Sequence, residues 1–336
     1  MNLLSIITKL FHFLPEEVSH HLALGGLKSL HKLGLLNILL GKRIENKEIL
    51  KNPNDVRTYE YKLGIAAGLD KDGEYIDCLS ALGVGFIEIG TVTPKKQYGN
   101  AKPRLFRNKK DKSLLNRLGF NNKGVEALVD NLKKRKSNIP IGVSIGKNFD
   151  TPNEQAFQDY LFCMEKVYKY ANYIAINISS PNTKELRNLT NKEFLKELLL
   201  KIKEKQYLLS KSFDYVPVFI KISPDESQKE LEEICKYILE YRIDGIITSN
   251  TTIEHNDKRG SGGLSGSPLK NKATENLKIV KNIVGNRIPI IASGGVMSAS
   301  DYQEKIDAGA DLVQVYTGFI FEGPKLIQDI LKIKSP

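Results

Sequence analysis

Histidine and cysteine are scarce in this 336-residue chain, and their placement excludes several chemistries. Four of the five histidines (His12, His20, His21 and His31) fall near the N-terminus, and the fifth is His255. No His-Glu-x-x-His or comparable ligand spacing occurs, so no metal centre is expected. The body of the chain has almost no histidine for proton transfer, and a catalytic base there must be another residue type. Cys78, Cys163 and Cys235 lie far apart with no Cys-x-x-Cys pair, which argues against structural zinc and for a reducing compartment. No apolar run approaches the roughly 18 residues of a membrane span. A secretory leader is not expected, since neither a basic region nor a small-residue cleavage site is present near the start.

Acidic residues are the minority, 39 against 50 basic ones, for a net charge of +11. Such a balance can mark a nucleic-acid or anionic-membrane partner. The basic residues are dispersed, with Lys133–Lys136 the only tight run, so no nucleic-acid face is expected. Hydrophobic residues make up 41%, ample for a large core. In residues 1–14 the one charge is Lys9, and Leu3, Ile7, Leu10 and Leu14 share a helical face. Pro15 stands at a helix start, followed by Glu16 and Glu17 in the favourable first turn. A second helix carries Val18, Leu22, Gly26, Leu30 and Leu33 on one side. Two such amphipathic helices either dock on the body or lie in a membrane interface.

From residue 63 onward, strand, polar loop and helix repeat. The strands are expected at 63–67, 85–90, 141–145, 173–178, 216–222, 245–248, 288–292 and 311–316. Helices are expected at 124–135, 154–170, 192–209, 226–241, 273–284 and 299–308. Eight strands alternating with helices predict an α/β fold, a (β/α)8 TIM barrel carrying an N-terminal two-helix amphipathic extension. The division expected is residues 1–40 for the extension and 41–336 for the barrel. Residues 93–122, rich in Lys, Arg, Asn and Gly, are too long for an ordinary loop and are expected to form a lid over the second strand's end.

The central stretch is Ile174–Thr183. An apolar strand ends abruptly in Ser179, Ser180, Pro181, Asn182 and Thr183, where a barrel's βα-loops build active sites. Ala66-Ala-Gly-Leu-Asp-Lys71 follows the first strand, with small residues against which a flat ligand can lie and a fixed positive charge. Asn116-Arg-Leu-Gly-Phe-Asn-Asn122 gathers three amides suited to a planar imide or carboxylate. Lys221, inside Phe219-Ile-Lys-Ile222, would be costly in a core and is expected to face a ligand or anion. Thr248-Ser-Asn-Thr-Thr252 adds a second amide and hydroxyl cluster. Glycine-rich turns at 261–266, 293–295 and 316–318, two of them after the seventh and eighth strands, match the usual barrel phosphate site. No Gly-x-Gly-x-x-Gly follows the first strand, so a Rossmann nucleotide site is not expected. A phosphate site, two lysines and several amides suit flavin mononucleotide (FMN) across the barrel mouth.

The motifs Ala67-Gly-Leu-Asp-Lys71, Ile89-Gly-Thr-Val-Thr-Pro94, Asn116–Asn122, Asn177–Thr183, Gly262-Gly-Leu-Ser-Gly266 and Tyr316-Thr-Gly-Phe319 resemble the dihydroorotate dehydrogenases of the membrane-associated, quinone-dependent class 2. The likeness covers nearly the whole chain. It implies oxidation of dihydroorotate to orotate in pyrimidine (UMP) synthesis, with FMN as hydride acceptor and a membrane quinone as final acceptor. It implies Ser180 as the base, in the place where class 1A enzymes carry cysteine. An unassisted serine is a poor base, so a polarising group or relaying water is required, for which Thr183 is a candidate. Substrate is then expected on Lys71, Asn116, Arg117, Leu118, Gly119, Phe120, Asn177, Asn182, Asn250 and Thr251. FMN is expected on Ala67, Gly68, Leu69, Asp70, Lys71, Thr91, Ser144, Asn177, Lys221, Ser249, Gly266, Gly295, Tyr316 and Thr317.

The resemblance also implies that the N-terminal helices form an apolar quinone tunnel and sit on an anionic membrane surface. A monomer, peripheral on the cytoplasmic side of the cell membrane, is expected. The chain departs from the family pattern at Ser144, usually Asn, and at Ser249, usually Thr, which implies weakened binding, and residues 252–261 look short. The competing expectation is a peripheral membrane-binding barrel without redox activity, supported by the basic charge and the helices alone.

Overall fold

The computed structural model describes residues 3–40, 54–183, 186–190 and 192–333. The expected boundary at 40/41 abuts residues 41–53, which lie outside the described residues. In chain order the strands are β1 (Leu63–Ile65), β2 (Phe86–Val92), β3 (Leu105–Asn108), β4 (Ser113–Asn116), β5 (Ile141–Ile145), β6 (Tyr173–Asn177), β7 (Val218–Ile222), β8 (Gly245–Thr248), β9 (Gly263–Gly266), β10 (Ile290–Ser293) and β11 (Leu312–Val315). The helices are α1 (Leu3–Phe11), α2 (Glu16–Lys32), α3 (Leu35–Leu40), α4 (Ile76–Ser80), α5 (Val125–Lys134), α6 (Ala156–Val167), α7 (Lys192–Ser210), α8 (Gln228–Glu240), α9 (Lys270–Val284), α10 (Ala299–Asp307), α11 (Thr317–Glu322) and α12 (Pro324–Leu331).

Strands β1, β2, β5, β6, β7, β8, β10 and β11 pair in parallel and close into a barrel, with β11 returning to β1. These are the eight strands expected from the sequence, with ends differing by up to two residues. They are buried on both faces, which is why they read as apolar runs rather than alternating ones. One interior layer is aromatic: Phe86 and Tyr173 meet edge to face and Tyr173 and Phe219 meet tilted, with ring centroids 6.3 and 5.2 Å apart, and Tyr59 closes the end 5.9 Å from Phe86. Neighbouring strands make room with glycine. A Cβ on Gly64, Gly142 or Gly245 would fall 2.4, 2.0 or 2.2 Å from those rings. The barrel is therefore plugged below, and ligands can enter only from the other end.

The stretch 93–122 is not an open lid. It folds into the hairpin β3–β4, whose second strand pairs antiparallel with β9 to make a three-stranded sheet beside the barrel mouth. The hairpin holds the N-terminal extension. Arg104 donates through Nε and Nη2 to Glu17 Oε1, each at 3.0 Å, and its Nη1 reaches the Tyr98 and Asn100 carbonyls. Arg107 gives its backbone N–H to Glu16 (3.0 Å) and its guanidinium to the His12 carbonyl and the Ser19 hydroxyl. On the other side α1 packs on α11 and α12. The extension has a short third helix, α3, whose Leu36 is buried like Leu24 of α2, and burying each side chain is worth about 1.5–3 kcal/mol.

Candidate functional site

Turns at the C-terminal ends of the barrel strands enclose a cavity of about 140 Å³. Its polar wall is a chain of side-chain amides and hydroxyls. Asn177, last residue of β6, donates through Nδ2 to Thr91 Oγ1 (2.9 Å), which shares a hydrogen bond with Ser144 Oγ (2.8 Å). Asn250 donates to Asn177 Oδ1 (3.2 Å) and Ser179 Oγ (3.0 Å), while its own Oδ1 accepts the Thr251 N–H (2.8 Å). Across the cavity, Asn182 donates to Asn116 Oδ1 (2.8 Å), and Asn116 donates to the Gly263 carbonyl (3.1 Å). Each amide is thus fixed by another and keeps a remaining group for a planar polar ligand.

Ser180 lies in this wall, almost fully buried, and its Oγ accepts the Asn182 N–H at 3.4 Å. Three residues on, the Thr183 hydroxyl is buried with no hydrogen-bond partner among the described residues. Lys71 reaches over from the first strand's loop and donates to the Gly68 carbonyl at 2.8 Å. Burial pulls its ammonium down from 10.5 to about 8, against the attraction of Asp72.

The opposite wall is backbone. Ser293–Met297, Tyr316–Gly318 and Ser265–Gly266 present turns with little side chain. Gly295 has φ +76°, and a Cβ there would meet Lys270 Cα at 2.2 Å. Only glycine lets the chain bend there and leave its N–H groups facing the cavity. Thr317 Oγ1, at the start of α11, donates to Ser265 Oγ (2.8 Å). Ser249 lines the cavity with its hydroxyl buried and unpaired. An orphaned hydroxyl beside glycine turns points to an oxygen-rich ligand that would complete the wall.

A second cavity, about 180 Å³ and lined mainly by apolar side chains, lies between α1, α2 and the barrel. Ile7, Phe11, Ala23, Leu24 and Leu27 face Leu69, Leu105, Leu114, Phe319 and Ile320 across it. Helix α11 separates the two cavities, with Thr317 and Gly318 on the polar one and Phe319 and Ile320 on the apolar one. His20 lines the apolar cavity, and burial drags its imidazole down to about 3, so it is neutral at physiological pH.

Nineteen of the residues expected at a site line the first cavity: Ala67, Gly68, Lys71, Thr91, Asn116, Leu118, Gly119, Phe120, Asn177, Ser180, Asn182, Lys221, Ser249, Asn250, Thr251, Gly266, Gly295, Tyr316 and Thr317. Four others do not. Arg117 turns outward, stacks on Phe106 with its guanidinium 5.0 Å from the ring centroid and bonds the Arg259 carbonyl. Leu69 packs in the core and lines the apolar cavity instead. Asp70 is a turn residue: its carboxylate accepts the Glu74 and Tyr75 N–H groups at 2.9 and 2.8 Å, and burial pushes its carboxyl up to about 6. Ser144 stands behind Thr91, fully buried.

Conversely, Gln314 lines the cavity and Glu88 lies in the barrel interior bonded to Lys221, and neither was expected. The signal was present: each is a polar residue interrupting an apolar strand, the feature that singles out Lys221.

Comparisons with known proteins agree with this geometry. The sequence profile of the family described as dihydroorotate dehydrogenase matches residues 54–334. A Pectobacterium atrosepticum protein named dihydroorotate dehydrogenase (quinone) is 53% identical over 281 residues, covering 82% of this chain and 84% of its own length. A protein of the same name from Buchnera aphidicola is 47% identical over 334 residues, covering 97% and 98%. Among solved structures, the Eimeria tenella DHODH in complex with ferulenol superposes with a TM-score of 0.83 at 32% identity, over 94% of this chain and 89% of that one. With a barrel closed in the same way and full-length relatives carrying one name, this chain belongs to the dihydroorotate dehydrogenase family, in the branch named for a quinone acceptor.

Proposed function

We propose that the protein oxidises (S)-dihydroorotate to orotate in pyrimidine (UMP) biosynthesis, with FMN bound across the barrel mouth and a membrane quinone as final electron acceptor. The observation that carries this reading is the pair of cavities, one polar and one apolar, on the two sides of α11. The residues present fit the flavin. The glycine turns at 266, 294 and 295 and Thr317 suit its phosphate, the unpaired Ser249 hydroxyl is a ready donor, and Thr91, Asn177 and Lys221 face the remaining edge. When bound, such a cofactor accepts a hydride from carbon and releases two electrons to a second acceptor.

The side chains supply the rest. Asn116, Asn177, Asn182 and Asn250, locked to one another, hold the substrate's imide and carboxylate in one orientation. Lys71 adds the positive charge that the carboxylate requires. Ser180 Oγ takes the proton from the substrate's C5. Its hydroxyl needs help, and a water between it and the unpaired Thr183 hydroxyl would carry the proton out. The apolar cavity admits a quinone ring while excluding water, with neutral His20 and Arg107 among the few polar residues that line it.

On this reading the protein is a monomer, peripheral on the cytoplasmic face of the cell membrane. No helix among the described residues is long and apolar enough to cross a membrane. Phe13 and Ile38 nonetheless stand 78% and 75% exposed, together with Leu10, Leu22 and Leu33, and would enter the headgroup region. Residues 1–40 then act as the membrane and quinone unit and 41–336 as the catalytic barrel.

The test is anaerobic addition of dihydroorotate to the purified yellow protein. Bleaching of the flavin band, followed by recovery on adding a soluble quinone, is expected. Ser180→Ala should keep the flavin and bleach at least a hundredfold more slowly. Near-normal bleaching in that variant would remove Ser180 as the base. A protein that takes up no flavin would favour a barrel that only binds membranes.

A further inference from the structure

Four polar side chains meet in the barrel interior between the aromatic plug and the cavity. Glu88 of β2 is fully buried. Its carboxylate accepts three hydrogen bonds: from Lys221 Nζ of β7 at 3.3 Å, from Tyr173 Oη of β6 at 3.0 Å, and from Gln314 Nε2 of β11 at 2.7 Å. Tyr173 Oη also accepts from Gln314 Nε2 at 3.1 Å. Three donors from three other strands therefore fix the orientation of the Glu88 side chain. Lys221 and Gln314 form part of the cavity lining, whereas Glu88 and Tyr173 lie behind them. Lys221 is itself only 5% exposed, and among the described residues Glu88 is the one side chain bonded to its ammonium.

Burying a pair of opposite charges costs more desolvation than the attraction returns unless the geometry is good, and an apolar pair of the same volume would serve stability as well. A barrel interior that needed only filling would use leucine or isoleucine at 88 and 221, as it does at neighbouring positions. The pair thus has a use other than stability, and the cavity above it is where that use lies.

We propose that Glu88 is a positioning residue for the cofactor. Its carboxylate, held by Tyr173 and Gln314, keeps the Lys221 ammonium aimed at one spot on the cavity wall, and so raises the reduction potential of the flavin bound there. This rests on the flavin reading above. Without the carboxylate, the ammonium loses the group that holds it, and its positive charge is no longer fixed at the wall. The sign is diagnostic. If Glu88 acted on the flavin directly, removing its negative charge would make reduction easier. If it acts through Lys221, the same change makes reduction harder.

The experiment is dye-equilibration measurement of the flavin midpoint potential in the purified holoprotein, for wild type, Glu88→Gln, Lys221→Met and the double variant. Glu88→Gln is expected to lower the ratio of reduced to oxidised flavin at fixed ambient potential at least tenfold, about 30 mV for a two-electron couple. In the Lys221→Met background, Glu88→Gln should produce no further shift. Should Glu88→Gln not fold, Glu88→Asp, which keeps the charge but draws it away from Lys221, should lower the potential by a smaller amount. A raised or unchanged potential in both Glu88 variants overturns the proposal, as does a shift that persists when Lys221 is methionine. A wild-type protein that neither contains nor takes up flavin overturns both this proposal and the flavin reading. A flavin-loaded wild type with an unmoved Glu88→Gln potential overturns this proposal alone.

Discussion

Replacing Lys71 by methionine should make the protein more stable and a poorer enzyme at once. The Lys71 ammonium is pulled down from 10.5 to about 8, chiefly by burial. At about 1.36 kcal/mol for each tenfold change, that drop puts the cost of holding the charged amine near 3 kcal/mol. The side chain lines a cavity that admits water, and screening there reduces the figure to about 2 kcal/mol. Methionine also forfeits the hydrogen bond to the Gly68 carbonyl, worth about 1 kcal/mol. The net gain at pH 7 is then on the order of 1 kcal/mol. Because the folded-state value lies below the unfolded one, the cost is fully present below pH 8, shrinks between 8 and 10.5, and is gone above. Thermal midpoints at saturating FMN across this range are the assay, since 1 kcal/mol moves the midpoint of a 150–250-residue domain by about 2–4 °C and a larger one by less. In parallel, the KM for dihydroorotate should rise about 10–100-fold, the loss of one charged hydrogen bond worth about 1.5–3 kcal/mol. A midpoint that falls at pH 7, or a gap between the two proteins that does not narrow above pH 8, would refute the reasoning.

Gly295→Ala should weaken FMN retention at least tenfold, read by quenching of flavin fluorescence on titration, because its Cβ would overlap Lys270 and its φ of +76° disfavours any side chain. Arg104→Gln removes both guanidinium bonds to Glu17, worth about 1.5–3 kcal/mol. Quinone-dependent turnover should drop severalfold while bleaching by dihydroorotate is unchanged, and an equal loss in both would show that Arg104 acts on the barrel instead. Phe13→Glu with Ile38→Glu should abolish co-sedimentation with anionic vesicles without altering turnover of a soluble quinone. Vesicle binding that survives both changes would move the membrane face elsewhere.

The barrel was legible because parallel strands buried on both faces leave an uninterrupted apolar signature, and Ile141–Ile145 and Gly245–Thr248 end where that signature ends. The hairpin β3–β4 was not, because Leu105–Asn108 and Ser113–Asn116 are too short to show alternation, and their pairing with β9 joins segments about 150 residues apart. The polar wall was readable for a different reason. Asn177, Ser180 and Asn250 sit where an apolar run stops, and a side chain there has nothing to do for the core. Asp70 and Arg117 occur in equally suggestive places and are used instead to close a turn and to stack on Phe106, which depends on backbone geometry that spacing does not reveal.

Glu88, Lys221 and Gln314 carry one signal, a polar residue within a buried strand, yet only the lysine was singled out, because a cation suggests a ligand when considered alone. A buried charge has to be answered by another, and the partner of Lys221 lies 133 positions away, on a strand that faces it across the interior only when the barrel closes. Isolated polar residues in apolar strands are therefore better read as a set. In a closed parallel barrel their side chains share one interior, and the charges and amides among them can be matched before any coordinates exist.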